Sequence, residues 1–116
     1  MKNRLSSFFC ARVKGGDRVL ERDFQARLIK GIKKTLPGCV VLKTDAGYLQ
    51  GFPDLLILHG SRWGALEVKR SEKASHRPNQ DYYISKLGKM SYARFVYPEN
   101  EREILHELRQ TFGAGG

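Results

Sequence analysis

The sequence predicts a single α/β domain with the element order α-β-β-β-α-β-α. Three observations predict it. Apolar residues recur with a helical period between Asp17 and Thr35, and two apolar strand runs flank Gly60-Ser61-Arg62-Trp63. From Pro78 onward, a helical stretch, a strand and a second helical stretch follow in turn. At 116 residues and 41% hydrophobic composition, the chain can build one core and carries no sign of global disorder.

Residues 1–16 have no clear period and end in Gly15-Gly16, so they read as a flexible basic arm ahead of a domain spanning 17–112. Asp17 is expected to cap the first helix, which runs to about Thr35 and stops at Pro37-Gly38. On its wheel, Leu20, Phe24, Leu28, Ile29 and Ile32 fill one half, while Arg22, Asp23, Arg27, Lys30, Lys33 and Lys34 fill the other. Glu21 and Gln25 fall inside the apolar half. A glutamate there wants a metal, a cation or a strong donor, unless it simply favours the helix dipole near the helix start.

Cys39-Val40-Val41-Leu42 opens a strand over 39–44, followed by a glycine-containing loop at 46–52. Leu55-Leu56-Ile57-Leu58 and Ala65-Leu66-Glu67-Val68-Lys69 form a hairpin within 53–70. A polar loop at 71–77 leads to Pro78, a good first helical residue, and the helix runs to about Leu87 with Gly88 as its stop. Tyr92 to Tyr97 is the fourth strand. Asn100 and Glu103 resemble a capping box for a last helix that fades before a disordered tail at 113–116.

Composition excludes several classes. No apolar run approaches the ~20 residues that span a bilayer, and Leu5-Ser6-Ser7-Phe8-Phe9 is too short and polar for a signal peptide. The expected location is therefore the cytoplasm. Cys10 and Cys39 have no metal-ligand spacing and build no disulfide framework, and His59, His76 and His106 are too scattered for a zinc site. The net charge is +9, from 21 Lys and Arg against 12 Asp and Glu, which points to a polyanionic partner, nucleic acid first.

The charged residues of the hairpin carry the chemistry. Side chains alternate along strands, so Glu67 and Lys69 share a face. A hairpin centred on Ser61 and Arg62 sets Asp54 opposite Lys69 and Leu56 opposite Glu67. All three charges then meet where apolar core is otherwise expected, at a cost that a divalent metal would offset. Phosphodiester hydrolysis needs an activated water and charge relief on the phosphate and the leaving oxygen, which Mg²⁺ or Mn²⁺ assists. Magnesium keeps several waters, so Asp54 and Glu67 suffice as direct ligands, with the Val68 carbonyl a third and Glu21 a direct or water-mediated fourth. Lys69 is placed to orient the water or neutralise phosphate charge.

The pattern Glu21-x3-Gln25, Gly51-Phe52-Pro53-Asp54, Glu67-Val68-Lys69 and a downstream Gln80 resembles the PD-(D/E)xK nuclease superfamily. Within it, the chain is most similar to the VRR-NUC (virus-type replication-repair nuclease) family over roughly residues 20–112. The resemblance implies a restriction-endonuclease-like αβββαβα core with a mixed four-stranded sheet, and Mg²⁺- or Mn²⁺-dependent nuclease activity. It makes Asp54 and Glu67 metal ligands, Lys69 the catalytic lysine, Glu21 the first-helix acid and Gln80 the helix glutamine facing the site. It also implies a homodimer acting on branched DNA such as four-way junctions, in a bacterial or phage-infected cell. The alternatives are a nuclease for flapped, nicked or linear DNA, and a non-catalytic DNA-binding module.

Other residues carry weaker signals. Lys43 and Asp45 flank the end of the first strand, and Lys73, His76 and Arg77 form a basic loop. These are expected phosphate contacts or solvated charges. Tyr48 and Phe52 either meet nucleic acid or cover the core. Trp63 in the hairpin turn reads as an interface or DNA contact.

Overall fold

Phe24, Leu28, Ile32 and Leu36 recur every four residues and are all buried. This is the spacing that puts side chains on one face of a helix. A computed structural model of the chain describes residues 14–113, and side chains from Leu20 onward. The first helix, α1 (Lys14–Thr35), carries the first three of that row, and Leu36 follows directly after its last residue. It begins three residues before Asp17, so Asp17 lies within the helix instead of capping it. Gly15 and Gly16 cost about 1 kcal/mol each as helical residues, a penalty the buried row downstream can offset. The remainder of the expected arm, with Cys10, and residues 114–116 lie outside the described residues.

Four strands follow the predicted order. β1 (Val40–Lys43), β2 (Leu55–His59) and β3 (Arg62–Val68) pair antiparallel in sequence. Helix α2 (Pro78–Met90) then crosses over, so that β4 (Tyr92–Val96) runs parallel beside β3. The sheet order is β1-β2-β3-β4, a mixed open sheet with β1 and β4 at its edges. A 3₁₀ turn (Pro98–Asn100), helix α3 (Glu101–Leu108) and a π turn (Arg109–Gly113) complete the described residues. The predicted α/β class and element order are those of the structure.

Local details differ from the sequence expectation. The hairpin turns on Gly60 and Ser61, because His59 pairs with Arg62 and Gly60 takes the positive φ of 62° that a tight hairpin favours. Leu56 therefore pairs with Ala65, and Leu55 with Leu66. The shift from the expected register is two residues, which preserves the assignment of side chains to faces. Helix α2 continues through Gly88 to Met90. Asn100 makes no capping bond to α3; its side chain accepts from the Tyr97 N–H and donates to the Phe95 carbonyl. Trp63 lies within β3 and packs under α2, so it is not a turn-tip contact.

The two faces of the sheet are unequal. One face sends Leu55, Ile57, Leu66, Val68, Tyr92 and Val96 into the main core, against α1 and the Ile104, Leu108 and Phe112 side chains. Cys39 packs at its edge as a free thiol. The other face carries Ala65 and Ala93 beneath Leu87 of α2, with Phe52, Leu56, Trp63, Tyr83 and Ile84 around them. Along that second face of β3, Ala65 is followed by Glu67. Among the described residues, no helix is long and apolar enough to cross a membrane.

Candidate active site

The site forms at the end of the sheet where β2 begins and β3 and β4 finish. The β2–β3 ladder closes with Leu55 opposite Leu66. Just beyond it, the Val68 N–H donates to Oδ2 of Asp54 at 2.9 Å, so a side chain takes the place of a backbone acceptor. Proline at position 53 has no N–H to extend the ladder. That bond also fixes Asp54 beside Glu67, the residue next in line on β3.

Glu67 is only 4% exposed. Its Oε2 accepts from Nε2 of Gln80 at 2.8 Å, while Oε1 is buried without a hydrogen-bond partner. Lys69, 8% exposed, donates from Nζ to Oε1 of Gln80 at 2.7 Å and to the Ser75 carbonyl at 3.0 Å. Gln80 Oε1 also accepts a second bond, from the Arg77 N–H at 3.0 Å. Its amide therefore does two things at once. It satisfies a free donor at the start of α2, and it joins the lysine to the glutamate. The two donors on Oε1 and the carboxylate on Nε2 leave one sensible orientation for that amide.

Electrostatics mark the same residues. Burial, then the neighbouring Asp54, pushes the Glu67 carboxyl up to about 8, against the counteracting charge of Lys69. Burial also raises Asp54, while the Val68 N–H and Lys69 pull it back. Glu21 is raised by burial and by Asp54, and lowered by Lys69 and Arg70. The first half of α1 thus brings Glu21 into the field of the hairpin acids. A cleft of about 430 Å³ opens over Asp54 and Glu67, walled by Gly51 and Phe52 on one side and by Arg77, Asn79 and Gln80 on the other.

The structure separates the remaining expected residues. Lys43 is exposed at the same end of β1 but pairs with Leu55, which places it on the opposite face from Glu67. Asp45 accepts the Gly47 N–H at 2.8 Å and shapes the loop. Lys73 is exposed in the 71–77 loop, and Arg77 lines the cleft. His76 stacks on Phe95, with ring centroids 3.9 Å apart, and its Nδ1 lies 3.0 Å from Asp81. Gln25 is half-buried on α1.

One contributor, the Ser75 carbonyl, and one contact, that of the motif residue Gly51 with Asn79, were not foreseen. The Ser75 carbonyl holds Lys69, and a backbone acceptor has no sequence signature. Gly51 approaches Asn79 so closely that a Cβ on it would lie 2.4 Å from the Asn79 Cβ, and its φ is 88°. Gly51 at a loop end next to Phe52-Pro53 was the available signal. A cavity of about 670 Å³ lies at the opposite end of the sheet among Lys34, His59, His106 and Arg109, with no acid among its described lining residues.

The donor set fits a hard divalent cation. Glu67 Oε1 is a buried oxygen in want of a positive partner, and three mutually repelling carboxyls are each held above their ordinary range. Among the described residues, no three His, Cys, Asp or Glu side chains form a ready-made cage. Two carboxylates with water completing the shell suit Mg²⁺, which is bound in that way more often than by an all-protein cage. No protein-family model matches the chain, and no curated protein matches its sequence.

Proposed function

We propose that this protein is a Mg²⁺- or Mn²⁺-dependent endonuclease that hydrolyses phosphodiester bonds in DNA, of the VRR-NUC type its motifs resemble. The observation that carries the reading is the buried Glu67 Oε1, left without a partner beside Asp54 while Gln80 ties the same carboxylate to Lys69. A structural salt bridge would pair Glu67 with Lys69 directly. Here the lysine is instead held by two neutral oxygens, leaving the acid free for another cation.

In this reading Asp54 and Glu67 would hold the metal, with the Val68 carbonyl as a further ligand and Glu21 joining directly or through water. When bound, the metal lowers the pKa of a coordinated water and offsets charge on the phosphate. Lys69, oriented by Ser75 and Gln80, stabilises charge that develops on the phosphate or positions the attacking water. Gln80 keeps acid and lysine in register. Arg77 at the cleft wall and Lys73 in the loop before it contact flanking phosphates, and the +9 net charge draws the polyanion in. His76 is a less accessible phosphate contact because Phe95 and Asp81 engage it. Lys43 contacts the strand from the far face of β1. Pairing into a homodimer, preference for branched DNA and a site of action inside a bacterial or phage-infected cell rest on the resemblance alone.

The test is cleavage of end-labelled four-way junction, flap and linear duplex DNA with Mg²⁺ or Mn²⁺, wild type against Glu67→Gln. Metal-dependent cuts that vanish in the variant are expected, with symmetric nicks in the junction if the branched-DNA preference holds. DNA binding without cleavage under either metal would replace the enzyme with a binding module.

A further inference from the structure

The loop between β1 and β2 carries two aromatic residues with opposite fates. Phe52 turns inward, joins the cluster under α2 and meets Tyr83 edge-on at 5.5 Å. Tyr48 turns outward and is 87% exposed. Between them lies a cavity of about 470 Å³ lined by Thr44, Asp45, Tyr48, Leu49 and Phe52. Phe52 also lines the cleft over Asp54 and Glu67, so the two spaces adjoin through one ring.

The loop is held by specific bonds along its length. The Tyr48 N–H donates to the Asp45 carbonyl, the Gly47 N–H to the Asp45 carboxylate and the Phe52 N–H to the Leu49 carbonyl. Thr44 ties the loop's two ends together through the Pro53 and Asp54 carbonyls. Gly51 packs against Asn79 at the start of α2. An exposed tyrosine adds nothing to the core, yet here it stands on a bonded turn at the rim of the acid cleft.

We propose that this cavity is a nucleobase pocket, in which Tyr48 stacks on a base of a strand that crosses the cleft over Asp54 and Glu67. The proposal rests on the nuclease reading for the neighbouring cleft. Continuity through Phe52 selects the occupant: a strand with a phosphate over the acids carries its adjoining base across that ring. Base stacking on aromatic side chains is a recurrent way of gripping single strands. The Thr44 hydroxyl donates within the loop and Oδ1 of Asp45 accepts there, so the aromatic ring dominates the pocket and Oδ2 of Asp45 is its main remaining acceptor. The pocket therefore accepts any base that is unpaired, and excludes one held in an intact duplex. Substrates with unpaired bases beside the cut, such as flaps, gaps and opened junction cores, are the class it takes.

The experiment is fluorescence anisotropy in EDTA, where cleavage is off, with dye-labelled oligo-dT and a single strand of equal length without bases. Wild type is expected to bind oligo-dT roughly tenfold more tightly than the abasic strand. Tyr48→Ala should lose that preference while holding the abasic strand as before, and Tyr48→Phe should keep it. Tyr48 is almost fully exposed, so neither change threatens folding. Equal affinity of wild type for the two strands, or a preference that survives in Tyr48→Ala, overturns the pocket. Metal-dependent cleavage by a protein without base preference overturns the pocket alone. Base preference in a protein that cleaves nothing keeps the pocket and removes the nuclease reading.

Discussion

The two faces of β3 use the same seven-residue strand for opposite ends. Leu66 and Val68 point into the main core between the sheet, α1 and α3, with no measurable or almost no exposure. Glu67, between them in sequence, points to the α2 side, where it is nearly as buried but ionisable, and where Oε1 has no partner. Burial on the first face removes apolar surface from water and stabilises the fold. Burial on the second disfavours the charged form of a carboxylate and stabilises nothing by itself. The difference teaches that depth is not a measure of contribution to stability. The first face holds the molecule together, and the second keeps an acid buried with one oxygen unsatisfied.

The largest expected effect comes from neighbouring substitutions on that strand. Glu67→Gln should reduce metal-dependent cleavage by about a hundredfold to a thousandfold or more, while its thermal midpoint stays level or rises. Leu66→Ala should lower stability by about 2–5 kcal/mol and leave the turnover of the folded fraction nearly intact. Denaturant melts and single-turnover cleavage on both variants read the two effects. A Glu67→Gln protein as unstable as Leu66→Ala would make Glu67 a structural residue and dissolve the contrast.

The pH dependence of stability sharpens the comparison next. Folding raises the Glu67 carboxyl from its ordinary 4.5 to about 8. Between those values the unfolded chain gives up the proton and the folded chain retains it, so the unfolded state is favoured progressively. Metal-free wild type should therefore lose stability as pH rises from about 4.5 to 8, by on the order of a few kcal/mol relative to Glu67→Gln. Binding of Mn²⁺ or Mg²⁺ to the ionised acids should restore it at the upper end. Urea melts at pH 5 and 8, with and without metal, measure both slopes. Parallel slopes for the two proteins would remove Glu67 from the account.

The smallest expected effect separates the two jobs of Gln80. Gln80→Ala loses the acceptor for the Arg77 N–H at the start of α2, for about 1 kcal/mol of stability. It also frees Lys69 from Glu67, and cleavage should fall by roughly tenfold to a hundredfold. A stability loss with unchanged cleavage would confine Gln80 to its capping role.

Much of this arrangement was legible in the chain. The four-residue recurrence of Phe24, Leu28 and Ile32 marks α1, and the apolar runs on either side of Gly60 mark the hairpin, because period and turn chemistry are local properties. Alternation put Glu67 and Lys69 on one face and the hairpin register added Asp54, and the shared face survived a two-residue error in register because the error was even. Less local features were not readable. Asn100 met the pattern of a cap, yet Tyr97 and Phe95 claim its side chain, and their position is set by the end of β4. The fates of Tyr48 and Phe52 could not be told apart, since both are loop aromatics and only the position of Tyr83 decides which one is covered.

The sequence by itself determined the element order, the identity of the acid and lysine positions and the basic balance, all of which follow from short-range periodicity, motif spacing and composition. The tertiary structure alone decided what those charges do to one another. It placed Gln80 between Lys69 and Glu67, left one glutamate oxygen unsatisfied, brought Glu21 from a distant helix into the same field and turned Tyr48 outward. Burial and hydrogen bonding are properties of distances across the fold, between residues that the chain order keeps far apart.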